Sequence, residues 1–295
     1  MEEFVWSLKW GLVVANVCLF AYGVWSRVEA QGRRGGLNGA VLSIGGGGEG
    51  GEEGEGGEGG EEGHDVLVLV TAHPDDESMF FAPLVLAWKG PVLLLCLSTG
   101  DYDGLGEVRE REVEAAARVL GIDRVEVGSM EDSPIEMWDA DEIGRFMVSA
   151  VEEWGAGLAG SSGVGVGKVT VASFDEYGVS GHINHVAACL GSRVGSAMLA
   201  EKGGWEVVGR IEVASVGIGV KYLSWASGPF LAGDEVVVSG WRGWRVGVEA
   251  MLCHRSQMVW FRWLYVLFSA YMIYTPFVFY PRDPRDQTSE ARLGE

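Results

Sequence analysis

The chain has 295 residues, with 22 Lys and Arg against 42 Asp and Glu, for a formal net charge of −20. So acidic a chain has no basic surface to neutralise phosphates, which excludes a general nucleic-acid binder. Its 47% hydrophobic content excludes disorder throughout, and its length is ample for a buried core.

The first element is Phe4–Trp25, apolar apart from Ser7, Lys9 and Asn16. About 20 helical residues span a hydrocarbon core, so it is long enough to cross. Trp6, Trp10, Tyr22 and Trp25 lie toward its ends, where an aromatic belt places them. A cleaved signal peptide needs a basic start, whereas Glu2 and Glu3 precede a single Lys9. Residues 1–26 are therefore expected to be a retained transmembrane anchor. Arg27, Arg33 and Arg34 follow it, which puts the C-terminal side in the cytosol. Gly45–Gly63 then holds 12 Gly and 7 Glu, a self-repelling composition that cannot pack, so residues 27–64 read as a flexible linker.

Asp65–Thr71 and Pro91–Ser98 are short, continuous apolar runs, as in strands buried on both faces. Between them Glu77–Lys89 has helical length. Glu107–Leu120 is strongly helical and stops at Gly121, a natural C-cap. Val125–Val127 reads as a strand, Asp139–Trp154 as a helix, Gly155–Gly167 as a loose loop, Lys168–Ser173 as a strand and His182–Glu201 as a helix. This alternation predicts an α/β domain over 65–258 with a mostly parallel sheet and its ligand site outside the carboxyl ends of the strands. Trp260–Tyr280 carries 10 aromatics, with Arg262 and Pro276 among them. That suits a membrane interface better than a bilayer centre, and a buried helix pair is the alternative. Residues 259–281 are accordingly assigned as a membrane-proximal segment and 282–295 as a polar tail.

Cys18, Cys96, Cys189 and Cys253 stand far apart with no CxxC pair, and no Asn-x-Ser/Thr sequon occurs. Free thiols in a reducing compartment follow.

Two constellations carry chemistry. Thr71–Glu77 (TAHPDDE) follows the first strand, and Pro74 makes a rigid corner between His73 and the paired Asp75 and Asp76. One reading is a metal site; the other is that Asp75 or Asp76 caps the next helix. Phe174–His185 (FDEYGVSGHINH) follows a later strand, with His182 and His185 three apart on one helix face. The chain has five His, and three of them fall in these two motifs. Three ligands (His73, Asp76 and His185) with Asp75 and His182 left over make the pattern of a catalytic zinc with an open position.

AHPDDE followed by GHINH resembles the PIG-L/LmbE zinc de-N-acetylases, and the resemblance runs through most of Asp65–Tyr274. CHRSQMVWFRWLY, with the N-terminal anchor, is similar to the eukaryotic PIG-L branch. The resemblance implies a Rossmann-like sheet with helices on both faces. It also implies hydrolysis of the acetamide of N-acetylglucosaminyl-phosphatidylinositol, the second step of GPI-anchor synthesis, on the cytosolic face of the endoplasmic reticulum. The implied cofactor is Zn²⁺ or another divalent transition metal, and the implied partners are the lipid precursor and the membrane. The alternative is a deacetylase of another N-acetylglucosaminyl conjugate.

By the same resemblance His73, Asp76 and His185 are metal ligands, Asp75 is the general base, and His182 stabilises or protonates the tetrahedral intermediate. Arg109 and Asp132 fall where the family contacts substrate. Otherwise Arg109 pairs with Glu112 on a helix surface, and Asp132 is a turn residue before Pro134. Asp175 is close enough in sequence to orient His182. His254 receives no role. A dinucleotide-binding protein would show GxGxxG after the first strand, where HPDDE stands instead.

Overall fold

The computed structural model describes residues 65–282 except 134, 163–166 and 232; the expected anchor, the Gly/Glu linker and the polar tail beyond 282 lie outside the described residues. Strands β1 (Asp65–Thr71), β2 (Val92–Cys96), β3 (Arg124–Val127), β4 (Gly167–Phe174) and β5 (Trp205–Val213) run parallel. β6 (Glu235–Val238) and β7 (Tyr274–Pro281) complete the sheet in the order β3-β2-β1-β4-β5-β7-β6. β7 is antiparallel to both of its neighbours. Successive residues of β1 and β2, which point to opposite faces, are buried alike, so their continuous apolar sequence reflects cover on both sides.

That cover comes from two groups of helices. α1 (Asp76–Phe80), α2 (Ala82–Ala87), α3 (Gly106–Leu120) and α6 (Trp241–Met251) pack together. α4 (Ala140–Ser162) and α5 (Ile183–Lys202) pack on each other and against β1, β2, β4 and β5. At their crossing a Cβ on Gly191 would meet Ile143 at 2.3 Å, so the helices approach more closely than any side chain there permits.

Three expectations need correction. The single helix over Glu77–Lys89 is two short ones, parted at Phe81, whose φ of −114° and ψ of −7° depart from regular helix. Pro83 in the first turn of α2 explains the break, because proline starts helices well but cannot sit inside one. The loop expected over Gly155–Gly167 is largely helix, since α4 continues to Ser162. Gly155 and Gly167 are there for contact: a Cβ at either would fall within 2.4 Å of the Trp205 ring. Finally, the aromatic segment divides. α7 (Trp260–Phe268) lies on the surface, whereas β7 is inside the sheet with Tyr274 and Phe277 buried. The domain therefore continues through Pro281, past the boundary expected at 258. Among the described residues no helix is long and apolar enough to cross a membrane.

The other elements stand close to expectation. α3 ends at Gly121, whose φ of 76° and N–H to the Ala117 carbonyl form a left-handed C-cap.

Candidate active site

The sheet order turns at β1 and β4: the chain moves from β1 outward to β2 and β3, then returns to β4 and leaves the other way. Neighbouring carboxyl ends diverge at such a point and leave a crevice between them. TAHPDDE leaves β1 there, and FDEYGVSGHINH leaves β4 there.

At the β1 corner the two aspartates are put to different uses. Asp75 occupies the position before α1, yet its side chain makes no cap bond. Asp76 folds back instead, its Oδ2 accepting the N–H groups of Ala72 at 3.1 Å and His73 at 2.8 Å. The capping alternative is thereby excluded for both. Oδ1 of Asp76 lies 3.3 Å from His185 Nε2, and Oδ2 lies 3.8 Å from His73 Nδ1. Burial works to raise the Asp76 carboxyl, but His185 and His73 outweigh it and hold it well below the usual range.

Asp75 has φ 125°, a conformation a non-glycine residue adopts only when its surroundings enforce it. Its N–H donates to Glu77 Oε2 at 3.1 Å, and its Oδ2 lies 2.6 Å from Arg262 Nη2. Burial pushes its carboxyl up to about 6, against the pull of Arg262. Glu77 in turn meets His254, Nε2 to Oε1 at 2.7 Å, with both side chains fully buried. His254 thus acts on the corner through Glu77, and Gln257 lies 3.4 Å from its other ring nitrogen.

At the β4 corner the histidines also differ. Nδ1 of His185 faces the Gly178 carbonyl at 3.0 Å, which leaves Nε2 with its lone pair toward Asp76, and the ring stacks on Phe174 at 4.1 Å. His182 caps α5, its Nδ1 accepting the Asn184 N–H at 3.3 Å, so in the neutral ring the proton sits on Nε2. Burial, and then the neighbouring His73 and His185, lower its pKa. Ligand nitrogens of His73, His182 and His185 lie within 4.8 Å of one another, so His182 reaches the cluster as well.

The expected contact from Asp175 to His182 is not made. Asp175 accepts the Ser215 N–H at 2.6 Å and the Ser215 hydroxyl at 2.7 Å. Ser215 Oγ accepts the N–H of Val179, held at φ 60°, beside Gly178 at φ 59°. Asp175 therefore steadies the left-handed turn whose carbonyl orients His185. Asp132 does join the cluster: its Oδ1 lies 3.2 Å from His73 Nε2 and accepts from Asn184 Nδ2 at 3.3 Å. The His73 bond, against burial, keeps its carboxyl below the usual range. Arg109 is not paired with Glu112; it donates to the Gly100 carbonyl at 2.5 Å and stands 3.5 Å from Asp103. Glu112 accepts from Ser256 instead.

Glu77, Asn184, His254 and Arg262 are the partners that sequence reasoning missed. Glu77 and Asn184 lie inside the two motifs, and the other two lie in or just after CHRSQ, so proximity to a motif was their signal.

The cluster floors a cleft of about 600 Å³. Its walls include Met79, Phe80, Phe261, Leu264, Tyr265 and Phe268, with Lys221 and Arg262 as cations. Two imidazoles and a carboxylate, with His185 and Asp76 also hydrogen-bonded to backbone, match the donor set of a catalytic divalent ion.

The family described as PIG-L, GlcNAc-PI de-N-acetylase, matches residues 68–193. Over 216 residues the chain is 39% identical to N-acetylglucosaminyl-phosphatidylinositol de-N-acetylase from Bos taurus, covering 70% of this chain and 79% of the relative. A probable enzyme of the same name from Schizosaccharomyces pombe is 32% identical over 224 residues, covering 70% and 83%. The fold is similar to that of a conserved protein of Thermus thermophilus, with a TM-score of 0.51 at 20% identity over 73% of this chain and 94% of that one. It is also similar to N,N'-diacetylchitobiose deacetylase from Pyrococcus horikoshii, with a TM-score of 0.53 at 14% identity over 74% and 84%. With two relatives covered over most of their length and both motifs assembled at one crevice, the chain belongs to the PIG-L family of GlcNAc-PI de-N-acetylases.

Proposed function

We propose that this protein hydrolyses the acetamide of N-acetylglucosaminyl-phosphatidylinositol to glucosaminyl-phosphatidylinositol and acetate, the second step of GPI-anchor synthesis. The observation that carries this reading is the convergence of HPDD and HxxH groups on the floor of a cleft with an apolar, aromatic wall. The donor set suits zinc, held by His73, Asp76 and His185. When bound, a divalent cation there polarises the acetamide carbonyl and acidifies a water beside it.

The protein's own groups do the rest. Asp75 takes the proton of the attacking water on its carboxylate, which Arg262 and the enforced backbone hold in place. His182 presents Nε2–H toward the developing oxyanion, a contact that strengthens as charge builds. The proton on Asp75 passes to the departing nitrogen and breaks the C–N bond. The second water proton, left on the acyl group as its carboxylic acid, passes through Asp75 to the free amine, so the products are acetate and the glucosaminyl ammonium. Asp132 and Asn184 fix the His73 ring.

The site belongs at the cytosolic face of the endoplasmic reticulum membrane. Supporting this are the expected Phe4–Trp25 anchor, the arginines after it, and α7, which exposes Trp260, Phe261, Trp263, Leu264, Leu267 and Phe268 beside the cleft. The test is acetate release from the lipid substrate by the detergent-solubilised full chain, with bound metal quantified. Release of acetate in step with one metal ion per chain is expected; a metal-loaded chain that leaves the lipid intact overturns the reading.

A further inference from the structure

Lys221 is a charge that the reaction above leaves without a task. It ends a short helical turn, Ile218–Lys221, and lines the cleft. Its Nζ lies 5.5 Å from the Tyr265 ring and 5.7 Å from each of the Phe80 and Tyr271 rings. Such a cage attracts a cation but supplies no counter-charge. Among the described residues no carboxylate stands within ion-pair distance of Lys221, and its charged neighbour is Arg262, already engaged by Asp75. Burial and Arg262 both work against its charge. A half-desolvated ammonium without an anion is costly, and a ligand anion removes the cost.

The rest of the cleft makes an anionic ligand otherwise hard to hold, because its floor carries Asp75 and Asp76 and the chain is strongly acidic. The Phe80 ring stands between floor and cation, 5.8 Å from the His185 ring and 5.7 Å from the ammonium. The ammonium and the His185 ring are therefore no farther apart than those distances laid end to end, within reach of one sugar and its neighbour. Resting on the function proposed above, we infer that Lys221, in its cage of Phe80, Tyr265 and Tyr271, binds the phosphodiester of the substrate and selects glycolipids that carry one. It is a specificity residue, and it takes no part in moving the proton.

The experiment compares the full chain and its Lys221→Met and Lys221→Arg variants on two substrates with hydrocarbon chains of equal length. One is a short-chain N-acetylglucosaminyl-phosphatidylinositol, and the other is an uncharged alkyl N-acetylglucosaminide. Lys221→Met should lose about ten- to hundredfold in kcat/KM on the phosphodiester, mostly through KM, a loss at least about tenfold larger than on the neutral glycoside. Lys221→Arg should recover most of it. Glycerophosphoinositol should compete with the neutral glycoside for the unaltered protein, a measurement that needs no variant to fold, while inorganic phosphate competes more weakly. Equal losses on the two substrates, or inorganic phosphate competing as well as glycerophosphoinositol, would overturn the assignment. If the unaltered protein cleaves the lipid but Lys221→Met does not discriminate, this inference alone falls. If the unaltered protein cleaves only the neutral glycoside, the proposed function falls with it.

Discussion

Two adjacent aspartates have opposite surroundings. Asp76 spends one oxygen on two backbone N–H groups and points the other at His185, as a ligand with a fixed lone pair does. Asp75 keeps its carboxylate free of backbone and faces Arg262, as a base does. Asp75→Asn should therefore retain metal while losing turnover by about a hundred- to ten-thousandfold, checked by metal content beside acetate release. Metal lost with Asp75→Asn would mean the two roles are exchanged. His185→Ala, by contrast, removes a proposed ligand and should lose both metal and activity. With Asp75 as the proposed base, burial and Arg262 together would set its working range. A carboxylate base acts only when ionised, so the rate falls as pH drops through its pKa. Burial raises that pKa and Arg262 lowers it. Arg262→Met should consequently move the acid limb of the pH–rate profile upward, and an unmoved limb would detach Arg262 from the base.

Between elements, the contact that matters most is Glu77 on α1 with His254 in the turn before α7. Both side chains are fully buried, so His254→Ala takes from the Glu77 carboxylate its imidazole partner and leaves it only the Asp75 N–H and the Ser78 hydroxyl. The expected cost is about 1–3 kcal/mol, read as a lowered denaturant midpoint. The pair also shows what the sequence could and could not disclose. Strands β1 and β2 were legible because burial on both faces forces unbroken apolar runs. The groups that meet in the crevice were legible because they cluster within two short motifs at strand ends. Glu77 with His254 was not, since the partners are 177 positions apart and nothing local announces their pairing. β7 was hidden for a related reason: its aromatics resemble those of α7, and only the vacant edge of β5 turns one half into a strand. Asp175 misled because nearness to His182 in sequence took it to be a partner, whereas Ser215 on another loop claims both its oxygens.

At the scale of the whole molecule, the proposed membrane location asks how an acidic chain would stay there and turn its cleft toward lipid. With a net charge of −20, overall charge opposes attraction to anionic headgroups, so in the proposed membrane location adhesion beyond the expected anchor would be apolar. α7 offers that surface in two faces. Phe261, Leu264 and Phe268 line the cleft, while Trp260, Trp263 and Leu267 are exposed on the helix without lining it. A helix with such a rim would hold a lipid-facing opening near the interface of the proposed membrane. Removing residues 1–26 should then weaken membrane association without abolishing it. The residual binding should resist high salt, because screening acts on charge and leaves apolar contact intact. Changing Trp260, Trp263 and Leu267 together to Ser in that truncated chain should release it, with turnover of a short-chain soluble substrate retained. Protease added outside sealed microsomes should digest the catalytic domain of the full chain. A domain protected from it would place the cleft on the other side of the membrane, and salt-sensitive residual binding would transfer the contact from α7 to charged surface.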